Sequence, residues 1–202
     1  MQPSERSPVT QLFLSASPLA LVGGILFYAL GAGIADFLGT SIDWTRYWLG
    51  QAGVTLLQLS SYYLKAYYDQ AERTDKLNNP SGSKSGPGGE QPALLRREAF
   101  LLAAITSLTV FTALTVLLVS DGAGTPALLV ILGVAFLLAF FYTVPPVRLA
   151  YAGYGELSQA IFLTNLAPAL AYLLQTGGLH RMLAMITFPM TALCLAMHLA
   201  LL

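Results

Sequence analysis

Six stretches without Asp, Glu, Lys or Arg dominate this 202-residue sequence. A charge near the middle of a bilayer costs roughly 2.5 to 3.5 kcal/mol, and a helix needs about 20 apolar residues to cross, so such runs are typical of transmembrane helices. Hydrophobic residues make up 55% of the chain and charged residues only 10%, a balance that soluble domains do not have. The sequence therefore predicts an all-α, polytopic membrane helical bundle, with 1–202 forming a single domain. The uncharged runs are 7–35, 47–64, 99–120, 122–147, 157–180 and 182–202, and the six predicted transmembrane helices lie near 17–38, 46–68, 97–119, 126–143, 156–175 and 181–202.

The charged residues are concentrated in one part of the chain. Eleven of the twenty lie between Lys65 and Glu98. Eight of the ten Lys and Arg residues fall at the N-terminus, in the second loop and its helix edges, or in the fourth loop, whereas Arg46 and Arg181 lie on the opposite side. Since Lys and Arg stay on the cytoplasmic side of membrane proteins, the N-terminus and both loops are expected in the cytoplasm.

The second loop, 76–95, is predicted to be flexible because its Gly, Ser and Pro tract contains no apolar residue that could be buried. The net charge of zero removes the basic surface that a nucleic-acid-binding protein needs, so nucleic acid is not an expected partner. The single Cys194 excludes an internal disulfide and a cysteine-based metal site. Membrane lipids are the surroundings that this composition implies.

Three carboxylates repeat every three residues where the second predicted helix leaves the membrane. If the helix continues, Asp69, Glu72 and Asp75 follow one flank at the membrane surface. Such a group suits Mg²⁺, which is usually bound by one or two carboxylates together with substrate phosphates. The alternative interpretation is a set of ordinary surface carboxylates, interleaved with Arg73 and Lys76, at the end of a transmembrane helix.

A second polar feature follows the fourth predicted helix. Two prolines, Pro145 and Pro146, end the helix, and the loop behind them presents Arg148, several tyrosines and Glu156 in the first turn of the next helix. Arg is suited to bidentate contact with phosphate, and the loop glycines allow a ligand to approach the backbone. The alternative interpretation is a helix-breaking turn with an interfacial Arg and an aromatic belt.

Taken together, YYDQAERTD (67–75) and YTVPPVRLAYAGYGEL (142–157) resemble the UbiA superfamily of intramembrane prenyltransferases. In that family, helix 2 ends in an Asn-Asp-x-x-Asp motif with a further Asp six residues on. Helix 4 of the family runs into a Tyr-Thr-x-Pro-Pro-x-Arg-x-x-x-x-Gly-x-Gly-Glu loop. The second match is the longer one, and it is most similar to the 1,4-dihydroxy-2-naphthoate prenyltransferase-like branch, which serves menaquinone and other quinone or prenyl-lipid biosynthesis.

This resemblance implies a transferase that moves a polyprenyl group from a polyprenyl diphosphate to a lipophilic aromatic acceptor, in a bacterial or archaeal cell membrane. It implies Mg²⁺ as the cofactor, which would neutralise the diphosphate and weaken its C–O bond. The apolar tail would lie between helices, and tyrosines would line the head of the pocket. The roles that it implies are catalytic for Asp69, Asp75, Arg148 and Tyr142, substrate-binding for Lys65, Tyr62, Tyr68, Tyr151 and Glu156, and metal-binding for Asp69, Glu72 and Asp75.

The chain departs from the family in helix 2, where the leading Asn-Asp falls on Lys65 and Ala66. Three explanations are consistent with this departure: Glu72 replaces the missing ligand, Lys65 binds diphosphate directly, or the chain has lost catalysis. Family members have about nine helices and a second Asp-rich motif after helix 6, so the chain is expected to be a truncated prenyltransferase domain that is inactive alone. The competing function is a non-catalytic isoprenoid- or quinone-binding or scaffold membrane protein.

Overall fold

The computed structural model describes residues 18–78, 90–144, 148–151 and 153–200, with the backbone alone for 18–19, 71–78, 90–96 and 198. Over these ranges the chain is all-helical, as the sequence predicted, and forms six helices. A π-helical turn, Val119–Ala123, follows the third helix, and another, Phe162–Leu166, interrupts the fifth. The helices are α1 Pro18–Phe37, α2 Trp44–Asn78, α3 Glu90–Leu118, α4 Pro126–Phe141, α5 Gly155–Thr176 and α6 Arg181–Ala200.

Three of the described helices are long and apolar enough to cross a membrane, in the segments Ala20–Phe37, Arg97–Ala123 and Gly155–Thr176. Two shorter apolar segments lie in α4 and α6, Pro126–Phe141 and Arg181–Met197. The structure therefore supports a membrane protein with at least three such helices among the described residues, and the predicted count of six stays a prediction.

Helix α2 lacks the apolar composition of a typical span, and it packs against four other helices. It contacts α1, α3, α4 and α5 and buries Gln51, Gln58 and Ser60. Polar side chains can lie inside a bundle when neighbouring helices provide hydrogen-bonding partners, as Ala20 does for Gln58. Helix α5 is also central, with 78% of its apolar segment buried, against 22% for the segment in α3.

The helix ends extend further into the second loop than predicted. Helix α2 continues to Asn78 and α3 begins at Glu90, so 76–78 and 90–95 of the predicted flexible loop are helical, and 79–89 lie outside the described residues. Pro92 falls in the first turn of α3, where a missing N–H removes no helical hydrogen bond.

Close packing of α1 against α5 depends on a glycine. A Cβ atom built on Gly31 would overlap the backbone of Pro168, whereas one on Gly33 would meet nothing within 4 Å. Small residues let transmembrane helices approach to backbone contact. This contact fixes α1 against α5, two of the helices that form the cavity described below.

An ion-pair cluster stabilises the end of the bundle at which α2 begins. The Oδ1 atom of Asp43 accepts hydrogen bonds from the N–H groups of Thr45 and Arg46 and so caps α2. The Arg46 guanidinium lies 3.4 Å from a carboxylate oxygen of Asp43 and 3.4 Å from one of Asp121, which joins α2 to the turn between α3 and α4. Asp43 therefore has a structural role, because it caps α2 and pairs with Arg46.

Candidate functional site

A cavity of about 810 Å³ lies between α1, α2, α5 and α6. Its volume is within the range of ligand-binding pockets, roughly 300 to 1,000 Å³. The walls are mainly apolar, and the polar groups come from α2, from the end of α4 and from the start of α5. The lining residues are Ala20, Val22, Gly23, Leu26, Phe27, Tyr62, Lys65, Ala66, Asp69, Tyr142, Gln159, Leu163, Met190, Leu193, Cys194 and Met197.

The cavity has a polar end and an apolar end. Hydrogen bonds from Gln58 to the Ala20 carbonyl and from Gln159 to the Tyr62 hydroxyl place the starts of α1 and α5 beside the middle of α2. Asp69 lies seven residues beyond Tyr62, about 10 Å further along α2 toward its C-terminal end. In α1 and α5 the lining residues continue in the other direction, to Phe27 and Leu163. A ligand that fills the cavity needs a polar head near Asp69 and an apolar tail.

One face of α2 supplies the polar wall. Tyr62, Lys65, Ala66 and Asp69 are spaced by three and four residues, the spacing that places side chains on one side of an α-helix. At about 100° per residue, position 72 is rotated by about 60° from Asp69 and position 75 by about 120°. The three carboxylate positions therefore drift around α2 rather than following its cavity face.

Asp69 is held by the loop after α4. The Tyr151 hydroxyl donates a hydrogen bond to the Oδ1 atom of Asp69. Lys65 lies one helical turn before Asp69, in the arrangement that allows an ion pair between neighbouring turns, yet the two side chains form none. In the part of the chain that the structure describes, the ion pairs are those of Arg46. The Lys65 ammonium and the Asp69 carboxylate therefore both line the cavity without forming an ion pair with each other.

Arg148 adopts a strained backbone conformation above two tyrosines. Its φ of 44° is in the left-handed region, which residues other than glycine seldom adopt. Its guanidinium carbon lies 5.3 Å from the ring centre of Tyr68 and 5.8 Å from that of Tyr151, within cation–π range. Backbone hydrogen bonds from Leu149 to Phe141 and from Ala150 to Tyr142 fold the loop back onto the end of α4. The loop thereby brings Arg148 next to the polar end of the cavity, although Arg148 does not line it.

Tyr142 lies just beyond the last residue of α4 and lines the cavity. Burial raises the pKa of its phenol, and the carboxylates of Glu156 and Asp69 raise the pKa further. The phenol therefore stays protonated well above neutral pH and is available as a hydrogen-bond donor. Glu156 is close enough to influence Tyr142 electrostatically, but it is not part of the cavity wall.

A second cavity, of about 40 Å³, adjoins the large one. The two cavities share the lining residues Tyr62, Tyr142 and Gln159. The smaller cavity is large enough for a water molecule or a hydroxyl group. The remaining lining residues are Gln58, Ser61, Leu138, Ala139, Ser158 and Phe162. Gln58 and Ser61 of α2 thus also border the site.

The predicted site residues fall into three groups. Tyr62, Lys65, Asp69 and Tyr142 line the cavity. Tyr68, Arg148, Tyr151 and Glu156 surround its polar end without lining it. Glu72 and Asp75 lie on α2, but their side chains are outside the described residues.

Sequence reasoning missed Gln159 and the apolar residues of α1 and α6. Gln159 offered a signal, since it is a polar residue one turn into an apolar helix and four residues after Gly155. Val22, Leu26, Met190 and Leu193 offered none, because an apolar side chain that lines a cavity looks the same in a sequence as one that faces lipid.

The described residues fit Mg²⁺ only together with a phosphate ligand. They contain no group of three His, Cys, Asp or Glu side chains that could hold a metal ion. Among the described residues, Asp69 is the carboxylate that lines the cavity. Since Mg²⁺ is commonly held by one or two carboxylates with phosphate oxygens and water, Asp69 can serve a Mg²⁺–diphosphate complex.

Comparisons with protein-family models, curated proteins and solved structures gave no match for this chain.

Proposed function

We propose that this chain binds a polyprenyl diphosphate in the cavity between α1, α2, α5 and α6, as the donor site of a membrane prenyltransferase. The observation that carries the proposal is the division of one cavity of about 810 Å³ into a polar end at Lys65 and Asp69 and an apolar end at Phe27 and Leu163. A prenyl diphosphate has the same division, with a charged head and a long apolar tail. The resemblance of 142–157 to the UbiA loop supplies the reaction class.

Each predicted residue has a role consistent with its position. The Lys65 ammonium offsets part of the diphosphate charge, and the protonated Tyr142 phenol donates a hydrogen bond to the head. Arg148, whose guanidinium forms cation–π contacts with Tyr68 and Tyr151, adds positive charge beside the polar end of the cavity. The faces of Tyr62 and Tyr142 stabilise positive charge at the allylic carbon as its C–O bond weakens. Mg²⁺ would be held at Asp69 and would supply further neutralisation of the diphosphate, and the family motif implies Glu72 and Asp75 as its other protein ligands.

In the transfer itself, the allylic C–O bond breaks and the diphosphate leaves with both electrons. A ring carbon of a lipophilic aromatic acceptor then forms the new C–C bond and loses its proton to water. The site provides preorganised charge for the leaving group, which is the largest contribution in reactions of this kind. Glu156, which acts electrostatically on Tyr142, would contact the substrate head from outside the cavity wall.

A second candidate function is non-catalytic binding of an isoprenoid or quinone. The observation that favours it is Lys65 in the cavity wall, one turn before Asp69. At Lys65 and Ala66 the family carries the leading Asn-Asp of its metal-binding motif. A binding protein needs the cavity but not the metal. Both functions place the chain in a membrane, and the excess of Lys and Arg in the N-terminus and the second and fourth loops supports a cytoplasmic N-terminus.

The only cysteine of the chain provides the test, because Cys194 lines the cavity. We expect farnesyl diphosphate to slow alkylation of Cys194 by N-ethylmaleimide in the detergent-solubilised chain, while inorganic diphosphate does not. Leu163→Trp, which fills the apolar end, should abolish the protection, whereas Phe188→Trp, at a position that is 79% exposed on α6, should retain it. Alkylation that is indifferent to farnesyl diphosphate in the native chain would contradict the proposal.

Incubation with radiolabelled farnesyl diphosphate and 1,4-dihydroxy-2-naphthoate tests whether the chain alone catalyses the transfer. A prenylated naphthoate would support the transferase and contradict the expectation that 1–202 is inactive alone. Protection of Cys194 without product agrees with that expectation and with the binding function.

A further inference from the structure

Lys65 is a cation in the cavity wall beside a carboxylate that the loop after α4 contacts. Asp69 is one turn away on the same face of α2, but its Oδ1 atom accepts the hydrogen bond from Tyr151. Neither of the ion pairs formed by the described residues includes Lys65. The Asp69 carboxylate keeps its negative charge but forms no ion pair with Lys65, so the Lys65 ammonium is available to a ligand.

The surroundings of Lys65 favour an anion over a metal ion. The ammonium is half-buried in a cavity whose other walls are largely apolar, so its attraction for an anion is less screened than it would be in water. Lys is a compact charge with three donors and binds phosphate well. The same charge repels a divalent cation that approaches Asp69, which makes a metal site without phosphate unfavourable.

We propose, as an extension that rests on the proposed function, that Lys65 binds the phosphate of an amphiphilic ligand directly and without a divalent cation. The ligand class is a long-chain phosphate ester, and a prenyl monophosphate satisfies the site as well as a prenyl diphosphate does. Tyr142 completes the head site, because its protonated phenol can donate to a second phosphate oxygen. Mg²⁺ at Asp69 adds affinity for a diphosphate, but the phosphate nearest Lys65 does not need it.

Binding of radiolabelled farnesyl monophosphate and farnesyl diphosphate to the detergent-solubilised chain in EDTA tests this inference. We expect both ligands to bind in EDTA, and Lys65→Gln to weaken both by about tenfold to a hundredfold, the value of a charge-assisted hydrogen bond. Lys65→Arg should restore most of the affinity. Arg181→Gln removes an exposed positive charge at the start of α6, outside the cavity, and should leave binding unchanged. Circular dichroism verifies that the variants keep their helices.

The outcomes separate this inference from the proposed function. Binding of farnesyl diphosphate only with Mg²⁺, unaffected by Lys65→Gln, would overturn the cation-independent site and leave the proposed function intact. Failure of both prenyl ligands to bind under either condition would overturn both. Competition by phosphatidic acid as strong as that by farnesyl monophosphate would support a site for long-chain phosphate esters in general, whereas weak competition would contradict that ligand class and restrict the site to prenyl phosphates.

Discussion

Tyr151 and Asp69 join the loop after α4 to the end of α2 through a hydrogen bond between residues that are 82 positions apart in the sequence. If this bond keeps Asp69 from pairing with Lys65, its removal should lower the affinity for phosphate ligands. We expect Tyr151→Phe to weaken farnesyl monophosphate binding in EDTA several-fold, because Asp69 can then neutralise Lys65. Tyr154→Phe removes an exposed hydroxyl from the same loop and should have no effect. Equal affinities of the native chain and Tyr151→Phe would show that Asp69 does not control Lys65.

Asp69 and Lys65 should contribute to two different parts of ligand binding. We expect Asp69→Asn to abolish the gain in farnesyl diphosphate affinity that Mg²⁺ gives, while the binding in EDTA persists. Asp75→Asn should have the same effect if Asp75 is a metal ligand, as the family motif implies. Glu98→Gln, at an exposed carboxylate of α3, is the control. Titration of Mg²⁺ at a fixed ligand concentration measures the gain, and a normal gain in both Asn variants would remove Mg²⁺ from the site.

The raised pKa of Tyr142 predicts a pH dependence of stability. In the unfolded chain this phenol loses its proton near its ordinary pKa of 10.0, but in the folded chain it does so at higher pH. The folded state is therefore stabilised by the protonated phenol below pH 10, and this contribution is lost as the pH rises through the folded pKa. Thermal unfolding in detergent at pH 9 and pH 11 should show a larger fall for the native chain than for Tyr142→Phe. Identical falls would indicate an ordinary, solvated phenol.

The contact between α1 and α5 predicts that substitutions of Gly31 and Gly33 differ in their effect on stability. Gly31→Ala places a methyl group against the backbone of Pro168, which cannot move as a side chain can, so we expect a loss of about 1 to 3 kcal/mol of stability. Gly33→Ala meets open space and should be neutral or slightly stabilising, because Ala is the better helix former. Thermal unfolding in detergent compares the two variants. Equal unfolding temperatures would mean that α1 and α5 do not approach this closely.

The orientation predicted from the basic residues can be tested in intact cells. In a Cys194→Ala background, Ser83→Cys in the second loop should resist a membrane-impermeant maleimide, and Ser41→Cys, exposed between α1 and α2, should react with it. The reason is that eight of the ten Lys and Arg residues lie on the side of Ser83. The reverse labelling pattern would invert the topology and move the polar end of the cavity to the outer side.

The helices were predictable because charge is excluded from them. The predicted bounds near 17–38, 126–143 and 156–175 differ by no more than two residues from α1, α4 and α5. The extensions of α2 and α3 beyond the apolar runs were not predicted, since hydropathy marks the membrane-crossing part of a helix and not the turns that continue past it. The number of spans is likewise harder to predict, because a central helix such as α2 can be polar when protein surrounds it.

The site was predictable only on its polar side. The family resemblance implied roles for Tyr62, Lys65, Asp69 and Tyr142, and the structure brings these four residues together around one cavity. The drift of positions 72 and 75 around α2 follows from 3.6 residues per turn and could have been deduced from the spacing. The hydrogen bond between Tyr151 and Asp69 could not, because it depends on how the loop folds back onto the end of α4.

Because the apolar walls of the cavity are open to the surrounding hydrocarbon, ligand binding depends on the concentration of ligand in the membrane or micelle. Leu26 and Leu193 are 64% and 67% exposed, so the apolar part of the cavity is open to the hydrocarbon that surrounds the bundle. A long-chain phosphate dissolved in that hydrocarbon reaches the cavity by moving sideways and need not pass through water. Occupancy then follows the mole fraction of ligand in the bilayer or micelle, and added detergent lowers it by surface dilution even when the total ligand in the tube is constant.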